Sequence, residues 1–377
     1  MRVVADQNIP FIKEAFSDFE IIALLSGRDI TNDVLRDADI LLVRSITKVN
    51  ESLLKNSSVK FVATATIGFD HIDVDYLQRN NIGFASAPGS NADSVADYIT
   101  SSLNMLSHKL DFKLSEKTLG IIGVGNVGSR VKRRADILGM KTLLCDPPKK
   151  RETKDNIYIP QDEVLKKADI VTVHVPLNKE GLDPTYKLIN KDFISKMKKG
   201  SILFNTSRGN VMDEKEVRDA KGYLSEIILD VWENEPTINI ETLNKTFIGT
   251  PHIAGYSYDG KVNGTQMIYN AACDYFGLPK KWNKTNFVKP EKELLLDLSS
   301  SNDLLFDAIN GAYTILNDNQ EMKKIVDVAP EGQGKYFDDL RKNYPRRREF
   351  FNYSVITAHN ADKTALAKVK ALGFKIR

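Results

Sequence analysis

The segment Gly123-Val124-Gly125-Asn126-Val127-Gly128 says more about the fold than any other part of this sequence. It follows the apolar run Leu119-Gly120-Ile121-Ile122, which predicts a strand, and it precedes apolar residues at helical spacing. In such a unit the first glycine permits a tight turn, the second lets the backbone approach a pyrophosphate, and the third allows close packing of the helix. Backbone N–H groups at the helix start, here those of Asn126 and Val127, attract phosphate. The segment therefore predicts a dinucleotide-binding site.

An acidic residue ends the next apolar run, as dinucleotide binding requires. Asp146 follows Lys141-Thr142-Leu143-Leu144-Cys145 and lies 18 residues after Gly128, close to the offset of about 20 at which an acid binds the adenosine ribose. Its carboxylate would repel a 2′-phosphate, and Pro147 and Pro148 place no positive charge beside it, so the sequence predicts NAD rather than NADP. The alternative is that the glycines only form turns and that Asp146 ends a surface strand. The strand, helix and acid together favour the cofactor site.

Further apolar runs predict a parallel sheet on each side of this segment. Compact runs of this kind suit strands that are buried on both faces, and the helical patterns between them suit crossover connections. We expect one α/β unit in residues 1–93 and a doubly wound sheet around the glycine segment, with ligands beyond the carboxyl ends of its strands. From about residue 287 the pattern changes to short strands and amphipathic helices, which predicts a third domain. The additional predicted strands are residues 2–5, 40–43, 61–64, 169–173, 201–205 and 226–230.

Length, charge and cysteine content limit the class of protein. With 377 residues, 42% of them hydrophobic and 27% charged, the chain is long enough for two or three globular domains. A formal net charge of +3 gives no reason to expect nucleic acid or a membrane surface as a partner. The sequence shows neither a signal-peptide pattern nor a long apolar run, which favours the cytoplasm. Cys145 and Cys273 have no metal-binding or disulfide pattern and are expected to be buried thiols.

Three segments after predicted strands supply the residue types needed for hydride transfer from an alcohol. His252 is predicted to take the hydroxyl proton, because imidazole changes protonation near neutral pH. Glu235 is predicted to orient His252, and Arg208 to bind a substrate carboxylate through two hydrogen bonds. Asp230 either accepts a hydrogen bond from the nicotinamide carboxamide, which we favour, or caps its own loop. The other histidines, His174 among them, are expected to be structural or exposed, and no metal site is predicted.

Together these motifs resemble those of the D-2-hydroxyacid dehydrogenases. The resemblance rests on the glycine segment with Asp146, on Ser207-Arg208-Gly209, on residues 230–236 and on Pro251-His252-Ile253-Ala254-Gly255. Within that superfamily the chain is most similar to the 4-phosphoerythronate dehydrogenase family, over almost its whole length. The segments that carry this closer resemblance are residues 43–50, 63–71, 145–148 and 252–256.

The resemblance implies a fold, a reaction and partners. The fold is α/β, with a doubly wound parallel-sheet NAD domain at residues 94–254 inserted in a discontinuous flavodoxin-like substrate domain at residues 1–93 and 255–286. A C-terminal α+β dimerisation domain follows at residues 287–377, so a homodimer is expected. The reaction is the NAD-dependent oxidation of 4-phospho-D-erythronate to (R)-3-hydroxy-2-oxo-4-phosphooxybutanoate in pyridoxal 5′-phosphate biosynthesis. A 2-oxo acid can serve as the final hydride acceptor.

Position by position, the resemblance assigns roles to residues of this chain. The catalytic residues are Arg208, Glu235 and His252. The substrate-binding residues are Ser45, Thr66 and Tyr256, with Arg44 as a basic candidate for the substrate phosphate. The glycine segment and the resemblance together predict these cofactor contacts: Gly123, Gly125, Asn126, Val127, Gly128, Asp146, Val175, Thr206, Ser207, Arg208, Asp230 and Gly255. Val175 stands where relatives can have threonine, so a hydroxyl contact is lost there and a backbone contact stays open.

Two basic clusters have simpler interpretations than ligand binding. Arg346-Arg347-Arg348 either lies on a solvated edge, which we favour, or reaches a phosphate site in a neighbouring subunit. The helix predicted after the glycine segment carries a second cluster, which we expect to form a solvated face. Its members are Arg130, Lys132, Arg133 and Arg134.

Two other functions stay open on the sequence alone. One is a different D-2-hydroxyacid dehydrogenase, such as a 3-phosphoglycerate enzyme with an added domain. The other is an NAD-sensing interaction protein that has kept the dehydrogenase fold. The complete set of Arg208, Glu235 and His252 argues against a sensor, because each has a role in turnover.

Overall fold

The chain divides into two compact units. A computed structural model describes residues 1–288 and 292–377; residues 289–291, in the linker expected before the C-terminal domain, lie outside the described residues. The first unit is Met1–Asn91 with Ser257–Glu291, and the second is Ala92–Tyr256 with Lys292–Arg377. The first unit is therefore discontinuous. Its limits at residues 91 and 257 lie two residues from the expected 93 and 255, whereas its last limit, residue 291, lies five residues beyond the expected 286. The second unit includes the C-terminal region, and a separate domain starting at residue 287 stays a prediction.

Parallel strands form three sheets in the described residues. All eight strands predicted individually from apolar runs are confirmed, within one residue at each end. The strands are β1 (Arg2–Asp6), β2 (Glu20–Leu25), β3 (Ile40–Val43), β4 (Phe61–Thr64), β5 (Gly83–Ala85), β6 (Thr118–Ile122), β7 (Lys141–Cys145), β8 (Ile170–Val173), β9 (Ile202–Asn205), β10 (Glu226–Leu229), β11 (Ile248–Gly249), β12 (Leu294–Leu298), β13 (Tyr353–Thr357) and β14 (Lys375–Ile376).

Helices connect most of these strands, as crossovers between parallel strands require. The α-helices are α1 (Ile12–Ala15), α2 (Glu51–Leu54), α3 (Val74–Arg79), α4 (Ala92–Lys109), α5 (Asn126–Leu138), α6 (Pro147–Thr153), α7 (Gln161–Lys167), α8 (Lys191–Lys196), α9 (Glu214–Asp219), α10 (Ile240–Lys245), α11 (Tyr258–Phe276), α12 (Leu304–Ala312), α13 (Ile315–Lys323), α14 (Pro330–Lys342) and α15 (Lys363–Ala371). Short 3-10 helices lie at Asp33–Leu35, Leu114–Glu116, Gly209–Val211, Lys284–Asn286, Lys324–Asp327 and Phe350–Asn352.

The first unit is built on a five-stranded parallel sheet with the order β2-β1-β3-β4-β5. This is the flavodoxin-like order. Every residue of β3 and β4 is buried, because apolar clusters cover both faces of the sheet. Helix α11 supplies Val262, Ile268 and Tyr269 to one of these clusters and so returns the chain to the first unit after the first segment of the second unit, Ala92–Tyr256. The expected flavodoxin-like unit is confirmed.

The second unit contains a six-stranded parallel sheet with the order β11-β10-β9-β8-β6-β7. Strand β6 lies between β7 and β8. The chain therefore passes from β6 to its neighbour on one side, β7, and then crosses to its neighbour on the other side, β8. The loop after β6 is therefore at the topological switch point, where doubly wound sheets bind their ligands. This loop carries the glycine segment, and helix α5 starts directly after Gly125. The predicted doubly wound sheet is confirmed.

The C-terminal region adds a small sheet and further helices to the second unit. Strands β12, β13 and β14 are parallel, α12 packs beside β12, and α15 packs against α12. Ile309, Val355, Val369 and Phe374 are buried in the same apolar cluster as residues of α4 and α5. The expected pattern of short strands and amphipathic helices is confirmed. No helix among the described residues is both long and apolar enough to cross a membrane.

The expectation that α5 has a fully solvated basic face is wrong for one residue. Arg134 is buried, and its guanidinium donates to the Asp97 carboxylate of α4 and to the Leu372 carbonyl after α15. Burial raises the pKa of Asp97 to about 6, against the opposing charge of Arg134. The helical pattern identified the basic residues but not the packing of α4 and the C-terminal region against this face. Arg130 and Lys132 are surface residues that pair with Asp93 and Asp136.

Candidate active site

The three glycines after β6 have the geometry expected of a phosphate-binding turn. Gly123 has φ +87°, and a β-carbon there would lie 2.6 Å from the His174 carbonyl oxygen. A β-carbon on Gly128 would lie 2.0 Å from the carbonyl oxygen of Gly123. Around Gly125, in contrast, no heavy atom of the described residues beyond its two chain neighbours lies within 4 Å of the β-carbon position. The loop thus has no room for a side chain at its first and third glycines. At the second, beside the start of α5, it leaves the space in which a pyrophosphate would bind.

Replacing Gly125 by alanine and replacing Gly128 by alanine should have different effects. Gly125→Ala should leave the melting temperature nearly unchanged, because φ is −74° and the β-carbon would point into open space. It should weaken NAD binding by roughly tenfold or more, since that space is needed by the pyrophosphate. Gly128→Ala should instead lower the melting temperature, because α5 has to move away from Gly123. Thermal unfolding with NAD titration separates the effects; equal losses of stability would contradict the assignment.

Asp146 connects the glycine loop to the end of β7. Its Oδ2 accepts from the Val124 N–H at 2.8 Å, and its Oδ1 accepts from the Lys149 N–H at 3.0 Å as the cap of α6. The Lys149 ammonium also donates to the Val124 carbonyl at 2.6 Å. The sequence interpretation considered only the two prolines beside Asp146 and missed this lysine. The ribose contact of Asp146 stays a prediction.

Polar residues at the carboxyl ends of β8 and β9 lie beside the glycine loop. His174 contacts the Thr172 hydroxyl through Nε2 at 2.9 Å and the Thr206 hydroxyl through Nδ1 at 3.3 Å. Burial lowers the pKa of His174 to about 3, so this imidazole is neutral at physiological pH. Val175 lies 2.9 Å from the β-carbon position of Gly123. The expectation of a structural His174 agrees with these contacts, and the cofactor contacts of Val175 and Thr206 stay predictions.

His252 and Glu235 form a close pair. The Nδ1 atom of His252 is 2.7 Å from Oε2 of Glu235, and Oε1 of Glu235 accepts from the Trp232 N–H at 2.9 Å. Burial acts to raise the pKa of Glu235, but the charge and hydrogen bond of His252, with the Trp232 N–H and Arg341, outweigh it and lower the pKa. Because an ionised carboxylate can only accept, the Nδ1 atom carries the proton. The Nε2 atom of a neutral His252 is then an acceptor, and the side chain is 32% exposed.

Asp230 fixes the loop that carries His252. The carboxylate is 1% exposed and accepts from the Thr250 hydroxyl at 2.6 Å and from the backbone N–H groups of Ile253 and Ala254 at 2.8 and 2.9 Å. Its carbonyl accepts from the His252 N–H at 2.7 Å. His252 itself has φ +57°, a conformation that needs such support. The loop-capping interpretation therefore describes Asp230, and its contact with the nicotinamide stays a prediction.

Arg208 follows β9, and its loop contacts the loop of Glu235. A β-carbon on Gly209 would lie 1.8 Å from the Trp232 carbonyl oxygen, so the two backbones pass each other closely only because residue 209 is glycine. Arg208 donates to the carbonyl of Ser207 at 2.8 Å, and the Ser207 hydroxyl donates to the Asn205 side chain at 2.7 Å. The structure thus brings together the segments that carry the predicted catalytic residues, all in the second unit.

Sequence reasoning missed Arg341, which lies next to Tyr256. The Nη2 atom of Arg341 donates to the Tyr256 hydroxyl at 3.1 Å. Tyr256 follows Gly255 at the end of the His252 loop, and its ring also packs edge-on against Tyr344 at 6.1 Å. Because Arg341 lies in an amphipathic helix 85 residues further along the chain, no local pattern of residues indicates this contact.

The remaining predicted substrate residues lie in the first unit, at the carboxyl ends of its strands. Arg44 and Ser45 directly follow β3, and Ser45 is exposed. Thr66 follows β4, and its hydroxyl contacts Thr64 at 2.7 Å and donates to the Gly68 carbonyl at 2.9 Å. The hydroxyl of Thr66 is therefore held by its own turn. These substrate contacts stay predictions.

The expectation of a solvated edge at residues 346–348 is wrong for two of the three arginines. Arg346 is exposed, but Arg347 and Arg348 are buried. Arg347 donates to the Ala254 carbonyl, and its guanidinium carbon is 4.3 Å from the centre of the Tyr313 ring. The preceding proline and the charge of the run suggested a surface turn, whereas the run crosses the interior of the second unit. Arg347 is thus tied to the His252 loop of its own chain.

Two further expectations concern cysteines and metals. Cys145 and Cys273 are free and buried, as expected, and burial raises the pKa of Cys145 to about 12. Within the described ranges 1–288 and 292–377, no cluster of three or more histidine, cysteine, aspartate or glutamate residues has the arrangement of a metal site.

Comparisons with known proteins agree with this geometry. Residues 96–254 match the family model for the D-isomer specific 2-hydroxyacid dehydrogenase NAD-binding domain, and residues 289–373 match a domain of unknown function. An erythronate-4-phosphate dehydrogenase from Salinibacter ruber is 41% identical, with 94% of each chain covered. Another, from Hahella chejuensis, is 41% identical and covers 100% of this chain and 99% of its own. The chain belongs to the erythronate-4-phosphate dehydrogenase family. The resemblance found in the motifs is therefore confirmed.

A solved structure extends the comparison to the fold. The D-lactate dehydrogenase from Aquifex aeolicus, complexed with NAD and lactic acid, is 28% identical with a TM-score of 0.60. The match covers 74% of this chain and 96% of the lactate enzyme, so about a quarter of this chain has no counterpart there. The protein is an NAD-dependent dehydrogenase, and the predicted cofactor and enzyme class are confirmed.

Proposed function

We propose that this enzyme oxidises 4-phospho-D-erythronate to (R)-3-hydroxy-2-oxo-4-phosphooxybutanoate with NAD, a step in pyridoxal 5′-phosphate biosynthesis. The observation that carries the chemistry is the hydrogen bond of 2.7 Å between Nδ1 of His252 and Glu235, which leaves Nε2 as the acceptor. The substrate is supported by relatives named erythronate-4-phosphate dehydrogenase, which are about 40% identical over nearly the whole chain.

His252 takes the proton of the substrate hydroxyl through Nε2. NAD, when bound, accepts the hydride from the carbon that bears this hydroxyl, which becomes a carbonyl. The imidazole becomes a cation as it takes the proton, and the ionised Glu235 at Nδ1 stabilises that charge. Asp230 holds the backbone of Ile253 and Ala254 and thereby fixes the direction in which His252 points.

Arg208 binds the substrate carboxylate next to the reacting carbon and polarises the developing carbonyl oxygen. A guanidinium suits this role because two of its N–H groups match the two oxygens of a carboxylate. Ser45, Thr66 and Tyr256 supply further substrate contacts, and Arg44 is a candidate for the phosphate.

The cofactor contacts follow from the loops described above. Backbone groups of Asn126 and Val127 at the start of α5 bind the pyrophosphate, and Asp146 binds the adenosine ribose. The other proposed contacts are Gly123, Gly125, Gly128, Val175, Thr206, Ser207, Arg208, Asp230 and Gly255. A 2-oxo acid serves as final hydride acceptor, and the active form is a homodimer assembled through residues 287–377.

The test is turnover of two phosphorylated acids by the purified enzyme. 4-Phospho-D-erythronate and 3-phosphoglycerate are supplied separately, with a 2-oxo acid present to reoxidise tightly bound NADH, and both NADH and the oxo product are measured. We expect the higher kcat/KM with 4-phospho-D-erythronate. A preference for 3-phosphoglycerate would reject the proposed substrate, and NAD binding without turnover of either acid would favour a sensor.

A further inference from the structure

A guanidinium from the C-terminal region contacts the end of the loop that carries His252. Arg341 is in the last turn of α14, and its Nη2 donates to the Tyr256 hydroxyl at 3.1 Å. Its guanidinium carbon is 5.7 Å from the centre of the Tyr256 ring and 5.9 Å from that of Phe337. The charges of Arg341 and Glu235 act on each other. Arg341 thus belongs to the surroundings of the Glu235–His252 pair, although a separate family model covers its part of the chain.

Arg341 has no close ion pair among the described residues. Its side chain is only 19% exposed, and among the described residues the carboxylate within ion-pair distance is that of Asp338, with 3.9 Å between Nη1 and Oδ1. That distance is at the outer limit of an ion pair. The Nε atom is buried and makes no hydrogen bond in the described part of the chain. Burial acts to lower the pKa of Arg341, but the Tyr256 hydroxyl and the charge of Glu235 outweigh it and raise the pKa, so the guanidinium stays a cation. A bound phosphate would give this largely buried cation the close anionic partner that it lacks among the described residues.

We propose that Arg341 binds the phosphate group of the substrate. This inference rests on the proposed function, which gives the substrate two anionic ends and assigns the carboxylate end to Arg208. The planar guanidinium presents N–H donors that match phosphate oxygens, which a lysine in the same place would not reproduce. The hydroxyl that Arg341 contacts is that of Tyr256, itself a proposed substrate residue, so both side chains contact the same ligand.

The competing interpretation makes Arg341 a positioning residue for Tyr256 or a source of charge for Glu235. The two interpretations predict different kinetic effects. Loss of a phosphate contact raises KM for a phosphorylated substrate and leaves the same acid without its phosphate unaffected. Loss of positioning at Tyr256 or Glu235 lowers kcat for both acids, because the chemistry at His252 is common to them.

The variants Arg341→Gln and Arg341→Lys test the proposal with 4-phospho-D-erythronate and D-erythronate as paired substrates. Arg341→Gln should raise KM for the phosphorylated acid by roughly 10- to 100-fold, the range for a hydrogen bond to a charged group, with kcat within about threefold. The kcat/KM for D-erythronate should not change, and Arg341→Lys should recover part of the loss. Arg218→Gln is the matched control, because its side chain is 18% exposed and lies beside Asp219 and Glu241.

A second measurement needs no turnover and so separates this inference from the proposed function. Inorganic phosphate is added to the NAD-loaded protein, and the thermal midpoint is recorded. We expect phosphate to raise the midpoint of the unmodified chain and of Arg218→Gln, but not that of Arg341→Gln. The inference is overturned if Arg341→Gln keeps both its KM and its phosphate response, if both acids lose activity equally, or if kcat falls while KM does not.

Discussion

Replacing His252 with asparagine should lower kcat by roughly 10³-fold, within the range that a positioned general base contributes. Asparagine is preferable to alanine because residue 252 has φ +57°, a conformation that asparagine adopts more readily than other non-glycine residues. The backbone of the loop should therefore stay in place while the proton acceptor is lost. The measurement is steady-state oxidation of 4-phospho-D-erythronate with a 2-oxo acid present, together with NAD binding.

NAD affinity should stay within about threefold of the unmodified value, because His252 contacts Glu235 and not the glycine loop. His359→Asn is the control, since residue 359 is exposed, and it should change neither kcat nor stability. If His252→Asn keeps more than about a tenth of the activity, another group takes the hydroxyl proton. Loss of NAD binding together with activity would show instead that the loop had moved.

In the two main sheets the interior strands and the edge strand β7 were predicted from the sequence, and the other three edge strands were not. Strands β3, β4, β8 and β9 are buried over their whole length, because parallel sheets are covered on both faces, and their apolar runs were evident in the sequence. The strands missing from the prediction are β2, β5 and β11, which all lie at sheet edges. An edge strand has one neighbour only, and β5 and β11 are three and two residues long. Strands as short as β5 and β11 leave too short an apolar pattern to be recognised. Shortness does not explain β2, whose six residues include five apolar ones in a row.

The candidate active site also combines residues that could be predicted from the sequence with residues that could not. Arg208, Glu235 and His252 could be found because each follows a predicted strand or a motif, and parallel strands bring their carboxyl ends to one edge of a sheet. Arg341 and Arg347 could not be found, because they reach the His252 loop from 85 and 93 residues away. For Arg347, the charge of the run 346–348 predicted a solvated position. The C-terminal region packs against the rest of the second unit, and this tertiary packing buries arginines that the local sequence pattern would place in solvent.

Replacing Arg347 with methionine should reduce the free energy of unfolding of the second unit by about 3 to 5 kcal/mol, the usual effect of removing one partner from a buried charged network. Arg347 donates to the Ala254 carbonyl and packs on Tyr313, while Asp318 accepts from the hydroxyls of Tyr313 and Tyr344. Burial raises the pKa of Asp318, against those two hydrogen bonds. Without the guanidinium, the Asp318 carboxylate loses its nearby cation and the Ala254 carbonyl loses its donor.

Urea unfolding followed by tryptophan fluorescence measures this effect in a Trp282→Phe background. Trp282 belongs to the first unit, so the remaining Trp232, which donates to the Thr250 carbonyl, reports on the second unit alone. Arg346→Met is the control at the neighbouring exposed residue and should change the free energy by less than about 1 kcal/mol. Because Ala254 also donates to Asp230, Arg347→Met should lower kcat as well. Equal effects at residues 346 and 347, or lost stability with unchanged kcat, would show that the C-terminal region does not hold the His252 loop.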